Sequence, residues 1–342
     1  MLTSSNPRMN ASSRSIPRTE EPIITRSTNE EFRKNFNRNS FTFRHSLAGH
    51  PLFELERLAR LAETILARGA FRQFTHREAV VDAASTLRES APQRVARAIM
   101  DIDKPGSWMK LTQVQMVDPE YGALVDRLIE EIQVESGVPI VSDMNWLGAT
   151  IFLGSPGSVT PYHIDHEINF LFLVRGEKTV NLFDPTNRSV LTEEEIENFY
   201  VGDSWAARYR VENQSKARVY RIRAGDGVHH PSLAPHWVTN GSGPTIAFSV
   251  AFGQRSTDPR ARVYQVNRYL RKFGFRPTPL GQSRWRDSAK IAALGLLSMR
   301  NPKTDRDYYA SAIERIQRAR QLVMRPFVGN DPDERRRFDP AD

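Results

Sequence analysis

The sequence of 342 residues contains no cysteine. Disulfides, thiolate metal sites and cysteine nucleophiles are therefore excluded, and the absence fits a reducing compartment. Long apolar runs are also missing, because no window approaches the ~20 apolar residues that a membrane span needs. The first residues lack the apolar stretch of a secretory signal. We therefore expect a cytoplasmic protein that makes no membrane contact.

Positive charge is concentrated at the beginning of the chain. The net charge is +8 at pH 7, and residues 1–44 contribute half of it, with seven Arg and one Lys against four Glu. A basic chain can bind nucleic acid. The sequence shows no helix-turn-helix, zinc-finger or RNA-recognition signature, however, so no specific nucleic-acid binding is expected. The composition of residues 1–44 predicts a disordered basic tail.

Helical patterns dominate residues 45–138. Apolar residues recur at helical spacing over 51–68, which predicts an amphipathic helix. Asp118 and Pro119 have the pattern of an N-cap followed by a first-turn proline, for a helix that reaches to about residue 133. Thr75 to Glu78 has the pattern of a capping box that opens another helix. We interpret this region as an N-terminal helical flank.

Short β segments follow in residues 139–254. Eight of them are separated by Gly, Pro, Asn and Asp, and a capping-box pattern at Thr192 to Glu195 predicts one surface helix between them. The predicted strands are 148–153, 160–165, 168–175, 178–184, 218–223, 227–230, 235–240 and 244–252. Such a series predicts a mainly β fold, an antiparallel barrel or jelly roll.

Helical patterns return in residues 255–325. Asp258 and Pro259 open the first helix, and further helices are expected over 286–299 and 305–323. Residues 326–342 read as a polar tail. The barrel is therefore predicted to be flanked by helices on both its N-terminal and C-terminal sides.

The residues with the clearest chemical pattern are His163 and Asp165. Residues two apart on a strand share a face, so an imidazole and a carboxylate can reach one point. His236 is the candidate for a third ligand. Two His and one carboxylate with open positions form the facial triad of non-haem Fe(II) oxygenases, and the open positions accept O₂ and a chelating co-substrate. A His-x-Asp pair alone is not specific, since each residue also fits an ordinary structural role.

The surrounding motifs resemble a known family. Gly157-Ser-Val-Thr-Pro-Tyr-His-Ile-Asp165 is followed by Asn169, Arg175-Gly-Glu-Lys178 and Leu182-Phe-Asp-Pro185, and later by Gly225-Asp226, Pro231, His236 and Val238. In residues 146–253 this order is similar to the Jumonji-C and cupin-like 2-oxoglutarate-dependent oxygenases, and within them to the factor-inhibiting asparaginyl hydroxylases. The implied fold is a double-stranded β-helix, the cupin or jelly-roll barrel. The motifs cover about a third of the chain.

The resemblance implies a role for each matching residue. His163, Asp165 and His236 would ligate Fe(II), and Lys178 would pair with the distal carboxylate of 2-oxoglutarate, which also receives a hydrogen bond from Thr160. Asn169 would lie near the co-substrate. A buried dicarboxylate needs a cation at its far end, which agrees with a Lys on an apolar strand. One departure is that the Tyr which the asparaginyl hydroxylases add to this carboxylate site has no identifiable counterpart.

The implied activity is hydroxylation with O₂ and 2-oxoglutarate, or demethylation where the oxidised carbon carries an amine. The substrate is either a protein side chain or a small molecule. The alternative is a cupin without enzymatic activity that binds a metal or ligand. The C-terminal helices resemble dimerising helices and so suggest a homodimer, although they could equally pack on their own barrel.

Overall fold

The computed structural model describes residues 21–25, 29–67, 74–75, 92–104 and 108–297. The helices of this part are α1 Asn29–Asn35, α2 Leu55–Ala67, α3 Pro92–Met100, α4 Val114–Val117, α5 Pro119–Ser136, α6 Ile140–Asp143, α7 Glu193–Tyr200, α8 Asp258–Lys272 and α9 Arg284–Leu297. The strands are β1 Ile24–Thr25, β2 Phe41–His45, β3 Phe74–Thr75, β4 Trp108–Thr112, β5 Met144–Gly154, β6 Val159–His163, β7 Ile168–Arg175, β8 Glu177–Leu182, β9 Arg218–Arg223, β10 Asp226–His230, β11 His236–Asn240 and β12 Thr245–Gln254.

The strands form two antiparallel sheets. In the described residues the larger has eight strands in the order β1-β2-β10-β7-β12-β5-β4-β3, and the smaller has four in the order β6-β11-β8-β9. All eight predicted strands are present, with boundaries shifted by a few residues. The predicted mainly β barrel with flanking helices, a double-stranded β-helix, is confirmed.

Alternation along the strands separates an interior from an outer face. On β7, Leu171 and Leu173 point between the two sheets and pack against Val180 and Leu182 of β8. Phe170 and Phe172 point the other way, into a large core shared with the helices. Because β7 is covered on both sides, its residues are buried up to Val174, and the strand reads as a continuous apolar run.

Helices cover the outer faces of both sheets. Helices α1, α2 and α5 contribute to the core outside the larger sheet, where Leu58 and Leu128 are fully buried. Helices α7 and α8 pack outside the smaller sheet, with Ile196 and Tyr264 beside Tyr162 of β6. The N-cap at Asp118 and the capping box between Thr192 and Glu195 are present as predicted.

The prediction of a disordered tail up to residue 44 is wrong for the part that the structure describes. Strand β2 pairs with β10 and extends the larger sheet. Phe41 and Phe43 alternate inward along it, and Phe32 of α1 is fully buried against the Phe170 ring. The Arg-rich composition concealed these regularly spaced phenylalanines, whose burial orders the segment.

Several predictions fall outside the described residues. These are the structure of residues 1–20, the helix that the Thr75 to Glu78 pattern would open, the helix over 305–323 and the tail 326–342. The domain boundaries stay predictions. Within the part that the structure describes, no helix is both long and apolar enough to cross a membrane.

Candidate metal centre

The three predicted ligands converge at one end of the barrel interior. His163 ends β6 and His236 begins β11, and the two residues are direct partners across the antiparallel pair. Their ring centroids lie 4.2 Å apart. Oδ2 of Asp165 lies 3.7 Å from Nε2 of each imidazole. One donor atom from each residue lies within 4.8 Å of the other two, which suits a single metal ion.

Backbone carbonyl groups orient both imidazoles. Nδ1 of His163 lies 2.7 Å from the carbonyl oxygen of Pro161, and Nδ1 of His236 lies 3.0 Å from that of Ala234. A carbonyl oxygen only accepts, so each Nδ1 carries a proton, and each Nε2 faces the space that the two imidazoles share with the Asp165 carboxylate. A metal-binding His usually donates its second ring nitrogen in this way.

The electrostatics also favour a cation. Burial and the neighbouring His163 lower the pKa of His236 to about 4, against the opposing effect of Asp165. The imidazole of His236 is therefore neutral at pH 7, which is the form that binds a metal. Two imidazoles and one carboxylate leave coordination positions free, the arrangement typical of non-haem Fe(II) sites.

The sequence matches the model of the cupin-like domain family over residues 67–258, which is more than half of the chain. The chain belongs to the cupin-like domain family. The match covers β3 to β12, and so the whole candidate metal centre of this cupin-like protein. No curated protein sequence matches it significantly.

The solved structures that this chain matches include several enzymes. One is the ribosomal oxygenase YcfD from Escherichia coli in complex with cobalt and 2-oxoglutarate, with 12% identity, a TM-score of 0.46 and coverage of 82% of this chain and 69% of that chain. Another is the DMSP lyase DddQ from Ruegeria pomeroyi DSS-3, with 19% identity, a TM-score of 0.21 and coverage of 32% and 39%. At such low identity, none of these activities passes to the cupin-like protein by likeness.

Lys178 lies on the interior face of β8, where it is 5% exposed. Two residues earlier, Gly176 turns the chain between β7 and β8 with φ at +82°. A side chain is excluded at this turn, because a Cβ would lie 2.4 Å from the carbonyl oxygen of Pro244. Nζ of Lys178 donates to Oδ1 of Asn240, its direct partner on β11. Among the described residues no carboxylate pairs with Lys178, and burial lowers its pKa to about 7.

The other two predicted co-substrate residues lie on facing sheets. Thr160 of β6 is half-buried and lies opposite Val238 of β11. Asn169 of β7 is buried on the larger sheet, where its Oδ1 accepts a hydrogen bond of 2.7 Å from Oγ of Ser249. The structure therefore brings all six predicted site residues to the barrel strands or to the loop directly after β6.

Two further charged residues lie near Asp165. Lys110 of β4 and Glu167, in the loop between β6 and β7, both interact electrostatically with the Asp165 carboxylate. Burial lowers the pKa of Lys110 and raises that of Glu167. The sequence analysis missed Lys110, because a Lys inside a short strand has no local signature.

The loop of residues 164–167 carries Asp165 and is held from two sides. The carbonyl oxygen of Asp165 accepts a hydrogen bond of 2.8 Å from the Leu233 amide. Nη2 of Arg260, from α8, donates to the carbonyl oxygen of His166 at 2.9 Å and also to Oγ of Ser232. Nδ1 of His166 lies 2.8 Å from the Tyr200 hydroxyl. These contacts fix the backbone on which Asp165 is presented.

Proposed function

We propose that the protein is an Fe(II)- and 2-oxoglutarate-dependent dioxygenase that hydroxylates its substrate. The observation that carries this proposal is the buried ammonium group of Lys178, which donates to Asn240 but pairs with no carboxylate of the described residues, on the same barrel interior as a three-residue metal centre. A buried cation without a counter-ion costs free energy, and an anionic ligand offsets that cost. A dicarboxylate that also chelates the metal meets both requirements.

In this proposal His163, Asp165 and His236 hold Fe(II). Lys178 receives the distal carboxylate of 2-oxoglutarate, with Thr160 as a second donor, and Asn169 lies beside the co-substrate. Bound Fe(II) with 2-oxoglutarate and O₂ would convert a C–H bond to C–OH, and 2-oxoglutarate to succinate and CO₂. The protein would contribute orientation and burial, since Lys178 and His236 in the barrel interior are each only 5% exposed to solvent.

The substrate is a protein side chain or a small molecule, and demethylation follows where the hydroxylated carbon carries an amine. A cytoplasmic location, a homodimer through the C-terminal helices and the lack of specific nucleic-acid binding stay predictions from the sequence.

The direct test is succinate formation by the full-length protein. Anaerobically purified protein is given Fe(II) and 2-oxoglutarate, and succinate is measured with and without O₂. We expect slow turnover that requires both iron and O₂ and that disappears in His163→Ala. His50→Ala, the same substitution away from the candidate centre, should keep the turnover.

Because turnover without substrate can be slow, binding is measured as well. Calorimetry on the Mn(II)-loaded protein should detect 2-oxoglutarate binding that His163→Ala abolishes together with metal binding. If the metal-loaded wild type neither forms succinate nor binds 2-oxoglutarate, the proposed enzyme activity is contradicted. The protein would then be a cupin-like protein that binds another ligand.

A further inference from the structure

His230 is a buried histidine beside the candidate metal centre that has no role in the proposal above. On β10, Val228 packs in the barrel interior, and His230, two residues later, faces the same side. The His230 ring is 4% exposed and stacks on the His236 ring, with centroids 4.8 Å apart and planes at 29°. Beside the His163 and His236 rings there is therefore a third imidazole ring, which contacts one of the proposed iron ligands.

One nitrogen of this ring has no hydrogen-bond partner in the described part of the chain. Nε2 of His230 is buried and makes no hydrogen bond to any of the described residues. Buried polar atoms nearly always have a partner, and an unpaired one next to a ligand site commonly has a bound molecule as its partner. His229, the preceding residue, differs, since both of its ring nitrogens have backbone partners, at Asn37 and Asn169.

A hydrogen-bond relay determines which nitrogen of His230 carries the proton. Oγ of Ser249 donates to Oδ1 of Asn169 at 2.7 Å, which leaves the amide nitrogen of Asn169 facing His230. That nitrogen, Nδ2, lies 3.2 Å from Nδ1 of His230 and can only donate. Nδ1 of His230 is therefore the acceptor, and the proton of the neutral ring lies on Nε2.

We propose that the Nε2–H group of His230 donates a hydrogen bond to the metal-bound carboxylate of the 2-oxo acid. The inference rests on the proposed function. His230 contacts His236, at the metal end of β11, whereas Lys178 contacts Asn240, four residues further along that strand. The two donors thus lie towards opposite ends of the site, as a dicarboxylate with one metal-bound end requires. In this arrangement Ser249 and Asn169 position His230 and do not touch the iron.

The test compares the binding of two 2-oxo acids to the Mn(II)-loaded full-length protein by calorimetry. 2-Oxoglutarate has both carboxylates, whereas 2-oxobutyrate keeps the keto acid end and lacks the distal carboxylate. His230→Phe keeps an aromatic ring but removes both nitrogens. We expect His230→Phe to lower the affinity for both acids by about tenfold or more, because the lost hydrogen bond goes to a charged group. Lys178→Met should lower the affinity for 2-oxoglutarate and leave the affinity for 2-oxobutyrate unchanged.

The affinity for Mn(II) itself is the readout that separates this role from a merely structural one. We expect His230→Phe to leave Mn(II) binding unchanged. His229→Phe, the same substitution on the opposite face of β10, should leave the affinity for both acids unchanged. The inference is overturned if His230→Phe binds both acids as tightly as the wild type. It is also overturned if His230→Phe loses as much affinity for Mn(II) as it loses for the acids.

Two further outcomes are distinguishable. If the wild type binds Mn(II) but not 2-oxoglutarate, the proposed function itself fails, and the inference fails with it. If His230→Phe does not fold, Ser249→Ala tests the relay without altering the ring. We expect Ser249→Ala to weaken both acids by about threefold, since one supporting hydrogen bond is lost. Unchanged affinities in Ser249→Ala would then reject the inference.

Discussion

Lys178 is a cation whose burial has a consequence for stability. Its pKa falls from 10.5 to about 7 in the folded protein because the barrel interior removes water from the ammonium group. Between these two values the unfolded chain binds more protons than the folded chain. The free energy of unfolding of the metal-free protein should therefore rise as the pH rises from about 7 towards 10. The destabilisation is complete below pH 7 and disappears above the unfolded pKa.

We predict that Lys178→Met reduces this pH dependence and leaves the smaller part that buried Lys110 contributes with the same sign. The shift corresponds to at most about 5 kcal/mol, so the variant should be a few kcal/mol more stable than wild type at pH 7 and similar to it at pH 10. Urea unfolding of the metal-free proteins at both pH values measures the difference. Lys272→Met, the same change at an exposed position, should retain the wild-type slope. A wild-type slope in Lys178→Met would contradict the prediction.

At the scale of elements, α8 supports the metal centre from outside the barrel. Arg260 ties the helix to the loop that carries Asp165, through the His166 carbonyl group and the Ser232 hydroxyl. Groups that hold the ligand-bearing backbone act on metal affinity without contacting the metal. Helix α8 is therefore part of the site, although it lies on the far side of the smaller sheet.

We predict that Arg260→Gln lowers Mn(II) affinity by about tenfold or more, because the loop loses its support from α8. Arg262→Gln removes the same charge from the same helix, and for Arg262 no hydrogen bond or ion pair is found in the described residues. That control should bind Mn(II) like the wild type, as measured by calorimetry. Equal affinities of the two variants would show that α8 does not position Asp165.

At the scale of the whole molecule, the segment from α1 to β2 completes the larger sheet. Phe32 is fully buried and contacts rings of β2 and β7. The same segment reaches the loop between β10 and β11, where Oδ1 of Asn37 accepts a hydrogen bond of 3.0 Å from the Ser232 amide. The N-terminal part of the described chain thus stabilises the barrel from outside and contacts the surroundings of the metal centre.

We predict that Phe32→Ala lowers the free energy of unfolding by about 3–5 kcal/mol, because it leaves a cavity among well-packed rings. Phe275→Ala makes the same change at a residue that is 63% exposed, and should alter stability by no more than about 0.5 kcal/mol. Denaturant unfolding of the metal-free proteins measures both. A small effect of Phe32→Ala would mean that the segment does not share the stability of the barrel.

The barrel and the three predicted ligands were accessible from the sequence because local rules govern them. Alternation and turn residues located the eight strands. The spacing of two residues correctly paired His163 with Asp165, although β6 ends at His163 and Asp165 lies in the loop after it, not on the predicted strand. His236 required the order of the motifs, since its partner strand lies far away along the chain.

Other features were not predictable from local patterns. Arg260 acts through His166, which is 94 residues away in sequence, and nothing near either residue indicates the contact. The role of His230 depends on Asn169 and Ser249, which lie on two other strands. The prediction of disorder for the segment from α1 to β2 was wrong because it rested on the charge of the segment, whereas its buried phenylalanines determine its structure. Each of these features depends on tertiary packing, which overrides local composition.

The direct pairing of His163 with His236 makes metal binding a check on strand alignment. A shift of β11 by one residue would turn His236 out of the barrel and place Trp237 where the imidazole stands. Such a misaligned chain keeps most of its backbone pairing but cannot present three donors to one ion. Bound iron would thus stabilise only the molecules in which β6 and β11 pair in the correct register, and would shift a mixed population towards them.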